Sequence, residues 1–88
     1  MSYENRERDL TWARQIQEGD ASAFEALFRS YADRLCAFVD QHVSAPEVAE
    51  EIVQDLFFEI WRRRSEWHPR TNVRAYLYKA ARNRALDY

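Results

Sequence analysis

The stretch that decides the fold is AEEIVQDLFFEIWRRR (49–64), SEWHPRTN (65–72) and VRAYLYKAARNRALDY (73–88). At about 100° per residue, Ala49, Ile52, Val53, Leu56 and Ile60 fall on one side of a helix. Glu47, Glu50, Glu51, Gln54, Asp55 and Phe58 fall on the other. The pattern predicts a helix over about Ala45–Arg64. Pro69 disfavours helix at His68, so SEWHPRT (65–71) is expected to be a loop. Asn72 can then cap a further helix from Val73 to the end, with Val73, Leu77, Ala80 and Ala81 as its inner stripe. Two amphipathic helices joined by an aromatic, basic loop call for more helices to cover their apolar sides.

Upstream, the same logic supplies them. Phe24, Leu27, Phe28, Tyr31, Leu35, Phe38 and Val39 recur at three- and four-residue spacing, predicting a helix over Ala21–His42. Asp20 suits its N-cap, and Gly19 suits the left-handed residue that ends a shorter helix over Arg8–Glu18. Ser44-Ala45-Pro46-Glu47 has capping-box spacing, with Pro tolerated in the first turn. The 88-residue chain has one Gly and two Pro, too few for hairpin turns. Five Phe, five Tyr and three Trp supply large buried areas for so short a chain. The expected fold is all-α, one small bundle of about four helices.

Charge is divided along the chain. Residues 43–60 carry five acids (Glu47, Glu50, Glu51, Asp55, Glu59) and no Lys or Arg. Residues 61–88 carry eight bases (Arg62, Arg63, Arg64, Arg70, Arg74, Lys79, Arg82, Arg84) against Glu66 and Asp87. The net charge of −2 conceals two opposed surfaces and suggests two partners of opposite character.

An acidic helix face is ordinarily just solvated. Here Phe58 sits at its centre, no i,i+4 base neutralises the acids before Arg62, and Gln54 lies among the carboxylates. An apolar anchor ringed by polar groups is a common plan for protein–protein contact, which makes partner binding about as good a reading as solvation. The basic segment could likewise only solubilise a helix end and oppose its dipole. Yet it also carries Trp61, Trp67, His68, Tyr76, Tyr78 and Tyr88, and bases interleaved with rings can neutralise phosphates while stacking unpaired nucleobases. Trp61 and Tyr88 are expected near the core, leaving Trp67 in the loop and Tyr76 at the helix edge for base contact. Tyr76, Lys79 and Asn83 neighbour one another on the helical wheel, beside Arg82. An Asn amide can read a base edge while Lys and Arg anchor phosphates. Within this segment the candidate nucleic-acid residues are Trp67, Tyr76, Lys79, Arg82 and Asn83, with Arg63 and Arg70 among the bases.

Other chemistries find no support. His42 and His68 lie far apart, and with one cysteine there is no metal-ligand spacing. His42 falls on the stripe of the second helix as a helix-end or partly buried side chain, and Cys36 at its margin is a small packing residue. A single glycine excludes a Gly-rich phosphate loop, and no acid pairs with a nucleophile. No enzyme activity, metal or cofactor is expected. The lone cysteine fits a reducing compartment. The polar opening MSYENRERD (1–9) gives no signal peptide, and no apolar run spans a membrane. The chain is expected to be soluble and cytoplasmic, without a membrane partner.

The runs at 49–64 and 73–88, together with QIQEGDASAFEALFRSYADRL (15–35), resemble region 2 of bacterial RNA polymerase sigma factors. Within the sigma-70 family they are most similar to the extracytoplasmic-function, or group 4, type. The resemblance covers nearly the whole chain and rests on the order and separation of these segments. It implies a transcription initiation factor domain whose third helix docks on a coiled coil of the polymerase beta-prime subunit. That role would fall on Glu51, Gln54 and Asp55, with Phe58 as an added apolar anchor. It also implies that the loop Trp67–Thr71, Asn72 at the cap, and Tyr76, Lys79 and Asn83 recognise and help melt the promoter minus-ten element, holding a flipped base of the non-template strand. Tyr76 stands where the family often has Trp. An anti-sigma factor is a further partner common in the family. Complete members carry a second DNA-binding domain, which is absent before the chain stops at Tyr88, so a domain fragment is expected. Two other functions remain open: a protein-binding helical adaptor whose basic face is only solvated, and a helix-turn-helix regulator of duplex DNA.

Overall fold

Gly19 (φ 92°) turns the chain out of its first helix, and Asp20 starts the second. The Asp20 carboxylate accepts from the backbone N–H of Ser22 at 3.0 Å and of Ala23 at 3.2 Å, and from the Ser22 hydroxyl at 2.6 Å. The Ser22 hydroxyl bond, then the Ala23 N–H, hold the carboxyl below its ordinary range. The computed structural model describes residues 2–69 and 72–88. Along them run α1 (Ser2–Gln17), α2 (Ala21–Val43), α3 (Pro46–Arg62), a 3-10 turn (Arg64–Glu66) and α4 (Val73–Asp87), with no strand among the described residues. The all-α bundle expected from periodicity is the fold found.

Boundaries moved where local signals competed. α1 begins at Ser2, well before the expected Arg8. The capping box at Ser44 does not form. Ser44 instead adopts the left-handed conformation (φ 55°, ψ 40°) and closes α2 by donating its N–H to the Asp40 carbonyl at 2.8 Å. Ala45 opens α3 with no side-chain cap, and Pro46 takes the first helical position. A residue holding a helix C-terminus cannot also present its hydroxyl as the next N-cap. Asn72 behaves as expected: its Oδ1 accepts from the Ala75 N–H at 2.9 Å, a bond whose loss typically costs ~1 kcal/mol.

α2 forms the spine, packing against α1, α3 and α4. Its Leu27, Tyr31, Leu35 and Val39 are buried at successive turns. They meet Ala49, Val53, Leu56, Phe57 and Ile60 of α3, Val73, Leu77, Ala81 and Ala85 of α4, and Ala13 and Ile16 of α1 in one core. Each fully buried Val, Leu, Ile or Phe among them removes from water surface worth roughly 1.5–3 kcal/mol. Phe57 is the core residue the stripe missed, although it lies four positions after Val53. Its ring meets Phe28 edge-to-face at 5.0 Å and Phe24 at 6.1 Å, while Phe24 lies 5.1 Å from Trp61. Tyr88, expected near the core, is exposed at the helix end. His42 stands in the last turn of α2, the helix-end position expected of it, and is exposed, its Nδ1 lying 3.2 Å from the Phe38 carbonyl oxygen.

One polar residue is sealed inside. Asp9 of α1 is 1 % exposed; it accepts from the Tyr31 hydroxyl and from the Arg8 guanidinium at 3.1 Å, and Arg8 also donates to Ser30 Oγ at 3.1 Å. A buried acid survives because it is paired and hydrogen-bonded. This clamp joins α1 to α2. Burial, then the bond and charge of Asp9, push the Tyr31 phenol up from 10.0 to about 12, against opposition from Arg8 and Arg34.

Candidate partner-binding and nucleic-acid interfaces

Because α3 buries Ala49, Val53, Leu56, Phe57 and Ile60, its other side is forced outward. Glu47, Glu50, Glu51, Gln54 and Asp55 are all exposed, and Phe58 is 64 % exposed at the end of that row. Among the described residues no ion pair engages Glu47, Glu50, Glu51 or Asp55. Glu47 and Glu51, then Glu51 and Asp55, stand four apart, a spacing at which like charges destabilise a helix by roughly 0.2–0.5 kcal/mol a pair. The next acid, Glu59, behaves differently. It binds Arg62 at 2.6 Å and Arg63 at 3.6 Å, and the Arg62 hydrogen bond leads the effects that hold its carboxyl below the usual carboxylate range. The arginines at the helix end are thus engaged locally and leave the upstream acids uncompensated.

Beside that row lies a mainly aromatic hollow of about 280 Å³, lined by Phe24, Phe28, Phe57, Phe58 and Trp61 together with Gln54. Its floor is the aromatic cluster that anchors α2 on α3.

On α4 the buried stripe Val73, Leu77, Ala81 and Ala85 turns Arg74, Tyr76, Lys79, Arg82 and Asn83 to solvent. Tyr76, Lys79 and Asn83, with Arg82 adjoining, share one face at three- and four-residue spacing. Among the described residues Lys79, Arg82 and Arg84 form no ion pair. Tyr76 keeps 39 % of its surface exposed, and a cleft of about 220 Å³ opens beside it, walled by Glu59, Ile60, Arg63, Glu66, Trp67 and Arg84 among others.

The structure brings only some of the expected nucleic-acid residues together. Trp67 is the correction: only 7 % exposed, it is tucked into the core with its ring 5.6 Å from that of Tyr76 in edge contact. A large ring next to an apolar core gains more from burial than from standing in water, so its faces are not offered to a base. Its indole N–H finds no acceptor among the described residues. Arg63 is exposed but shared between Glu59 at 3.6 Å and Glu66 at 3.4 Å, so it is less available for a phosphate than Lys79 or Arg82. Asn72 spends its carbonyl oxygen on capping α4. Arg70, like Thr71, lies outside the described residues. Arg64 folds back over the Trp61 ring at 4.4 Å and donates to the Trp61 carbonyl at 2.9 Å.

Sequence reasoning missed Gln17, whose Nε2 donates to the Trp67 carbonyl at 2.8 Å across fifty positions of chain. Only spatial proximity reveals such a bond. Cys36 is half-buried, and burial, then Glu50 and Asp33, hold its thiol above the ordinary range. Among the described residues no cluster of three His, Cys, Asp or Glu could hold a metal, and no helix is long and apolar enough to cross a membrane.

The family model for Sigma-70 region 2 matches residues 27–88. The chain is 32% identical over 75 residues to the ECF RNA polymerase sigma factor SigK of Mycobacterium sp. (strain KMS), a match covering 84% of this chain and 39% of that protein. It is 32% identical over 69 residues to the ECF RNA polymerase sigma factor RpoE of Cereibacter sphaeroides, covering 77% of this chain and 38% of that one. It is also 32% identical over 73 residues to the RNA polymerase sigma factor CarQ of Myxococcus xanthus, covering 83% and 42%. The chain thus spans about two fifths of the length of these curated relatives. No solved structure matches it.

Proposed function

The chain belongs to the sigma-70 region 2 family, of the extracytoplasmic-function type, and from that premise we propose that it is a transcription initiation domain serving two partners. α3 docks on core RNA polymerase, on a coiled coil of the beta-prime subunit, through Glu51, Gln54, Asp55 and Phe58. α4 holds the non-template strand of the promoter minus-ten element through Tyr76, Lys79, Arg82 and Asn83. The single observation that carries this reading is the separation of the two faces. The uncompensated acids of α3 and the unpaired cations of α4 lie on helices that pack against each other through their buried sides.

The energetics favour capture of a strand that is already open. Unstacking a base costs a few kcal/mol, and stacking one on an aromatic ring returns ~1–3 kcal/mol. Tyr76 alone therefore roughly balances the cost of one flipped base and cannot melt a duplex unaided. The α3 acids repel DNA only within about 10 Å at 0.1 M salt, a fraction of a molecule 34 × 30 × 20 Å across. The larger gain on polymerase comes from holding strand and site together at high effective concentration. The free chain is expected to bind a single-stranded minus-ten oligonucleotide weakly, and the chain bound to core polymerase much more tightly. Equal affinities measured by fluorescence anisotropy in the two states would contradict this.

Within the polymerase complex the two kinds of α4 contact separate. Asn83→Ala is expected to erode preference for the cognate oligonucleotide over a scrambled one. Lys79→Ala is expected to weaken both alike and to flatten the slope of log affinity against log salt by about 0.7. If both variants bind like the parent, the strand does not lie on this face.

A further inference from the structure

Gln17 is the last residue of α1 and touches neither of the two faces. Its backbone is well fixed. Ile16 beside it is 0 % exposed, and the turn that follows is closed by backbone bonds from Glu18 to Gln15 at 3.1 Å, Gly19 to Ile16 at 2.9 Å and Asp20 to Gln15 at 3.0 Å. From this fixed point the side chain donates to the Trp67 carbonyl at 2.8 Å. The Trp67 N–H donates to the Arg64 carbonyl at 3.3 Å, and its ring meets that of Tyr76 at 5.6 Å with an interplanar angle of 62°.

Residues 67–69 are held chiefly by the burial of the Trp67 ring, with few polar ties among the described residues. Pro69 has no N–H to donate. Among the described residues the Gln17 bond is the only side-chain hydrogen bond made to residues 67–69. Backbone at that end of the bundle is otherwise held by packing, which resists translation but does not select one carbonyl direction. A directional bond does.

Resting on the reading that Tyr76 meets the promoter strand, we infer that Gln17 is a positioning residue for that contact: by tying the Trp67 carbonyl to α1, it fixes the indole against which Tyr76 is set. The path runs from Gln17 at the end of α1 to Trp67 by a hydrogen bond and from Trp67 to Tyr76 by a ring contact. A site that discriminates bases needs its groups held within a fraction of an ångström, and that precision comes from the residues behind them. Gln17 itself makes no contact with DNA.

The test uses the chain bound to core RNA polymerase, comparing the parent with Gln17→Leu, which keeps the bulk and removes the donor, and Gln17→Glu, which sets an acceptor against the carbonyl. Each complex is offered single-stranded oligonucleotides with a randomised hexamer, and the retained pool is sequenced. Enrichment of the parent's preferred hexamer is expected to fall roughly tenfold in both variants, the factor that follows from misplacing a group worth about 1.4 kcal/mol. Retention of the unselected pool should stay within about twofold, since phosphate contacts do not depend on Gln17. Hydrogen exchange should quicken at the amides of Trp67 and His68 and at the start of α4 while the amides of α2 keep their protection, a pattern a general loss of stability would not give. An unchanged hexamer profile in both variants, with parent binding intact, overturns this inference alone. A parent complex that retains no oligonucleotide overturns the promoter reading and this inference with it.

Discussion

Phe57→Ala is expected to remove about 3–5 kcal/mol of stability, while Phe58→Ala, one residue on, leaves the fold nearly untouched. Phe57 is 2 % exposed and touches the rings of both Phe24 and Phe28, so truncating it opens a cavity where α2 meets α3. Against a total of roughly 5–15 kcal/mol for a native domain, that loss brings the chain close to unfolding at room temperature. Phe58 is 64 % exposed and rims the aromatic hollow, so its removal costs little in the free chain. In the proposed complex with polymerase the order is expected to reverse. Phe58→Ala is expected to weaken core binding by about 1–2 kcal/mol, a hot-spot-sized loss, and Gln54→Ala with Asp55→Ala should add to it. Urea melts of the free variants and pull-down with core polymerase measure the two effects separately. A strongly destabilised Phe58→Ala, or one that binds polymerase like the parent, would contradict the division of labour between these neighbours.

The second large effect lies in the clamp between α1 and α2. Asp9→Ala strands the Tyr31 hydroxyl in the core, and an unpartnered buried polar group costs about 1–3 kcal/mol. The small cavity left behind adds to that, for a total of roughly 2–4 kcal/mol. Asp9→Asn keeps an acceptor in place and should cost less than half as much. Tyr31→Phe in the Asp9→Ala background should cost less than it does alone, because its partner is already gone; a double-mutant cycle isolates the coupling. Additive effects would show that the bond carries no energy of its own.

The same residue gives the fold an alkaline signature. The Tyr31 phenol is held near 12 when folded against 10.0 when free, so the unfolded chain loses its proton first as pH rises. The native state then binds more protons than the unfolded one, and stability falls with increasing pH. Stability from this source is complete below pH 10 and is lost as pH rises through about 12, a decline on the order of 2–3 kcal/mol. Tyr31→Phe should be less stable at neutral pH yet flatter across that window. A parent melting curve with no such slope between pH 10 and 12 would remove the argument.

Much of the molecule is legible in its sequence. α2, α3 and α4 followed from three- and four-residue spacing, because a helix repeats its faces locally whatever it packs on. Asn72 and Asp20 could be read as caps for the same reason: a cap bonds to amides two or three residues away. The uncompensated acid row of α3 and the cationic face of α4 were also visible, since exposed faces are what the apolar stripe leaves over. Ser44 failed as a cap because two local signals claimed one residue, and the end of α2 prevailed.

What sequence could not supply depends on which distant residue fills a given space. Two adjacent phenylalanines differ in fate because only Phe57 points at α2. Trp67 looked like a loop aromatic free to stack on a base, but its ring found a place against Tyr76 and its carbonyl a donor in Gln17. Asp9 was unremarked in a polar opening segment until Tyr31, 22 positions on, made it a partner. Periodicity fixes which side of a helix is apolar; it says nothing of how far one helix slides or rotates on another. Those two freedoms are settled only when the side chains of all four helices compete for the same volume, and they decide which rings stay outside for a partner and which are spent holding the fold.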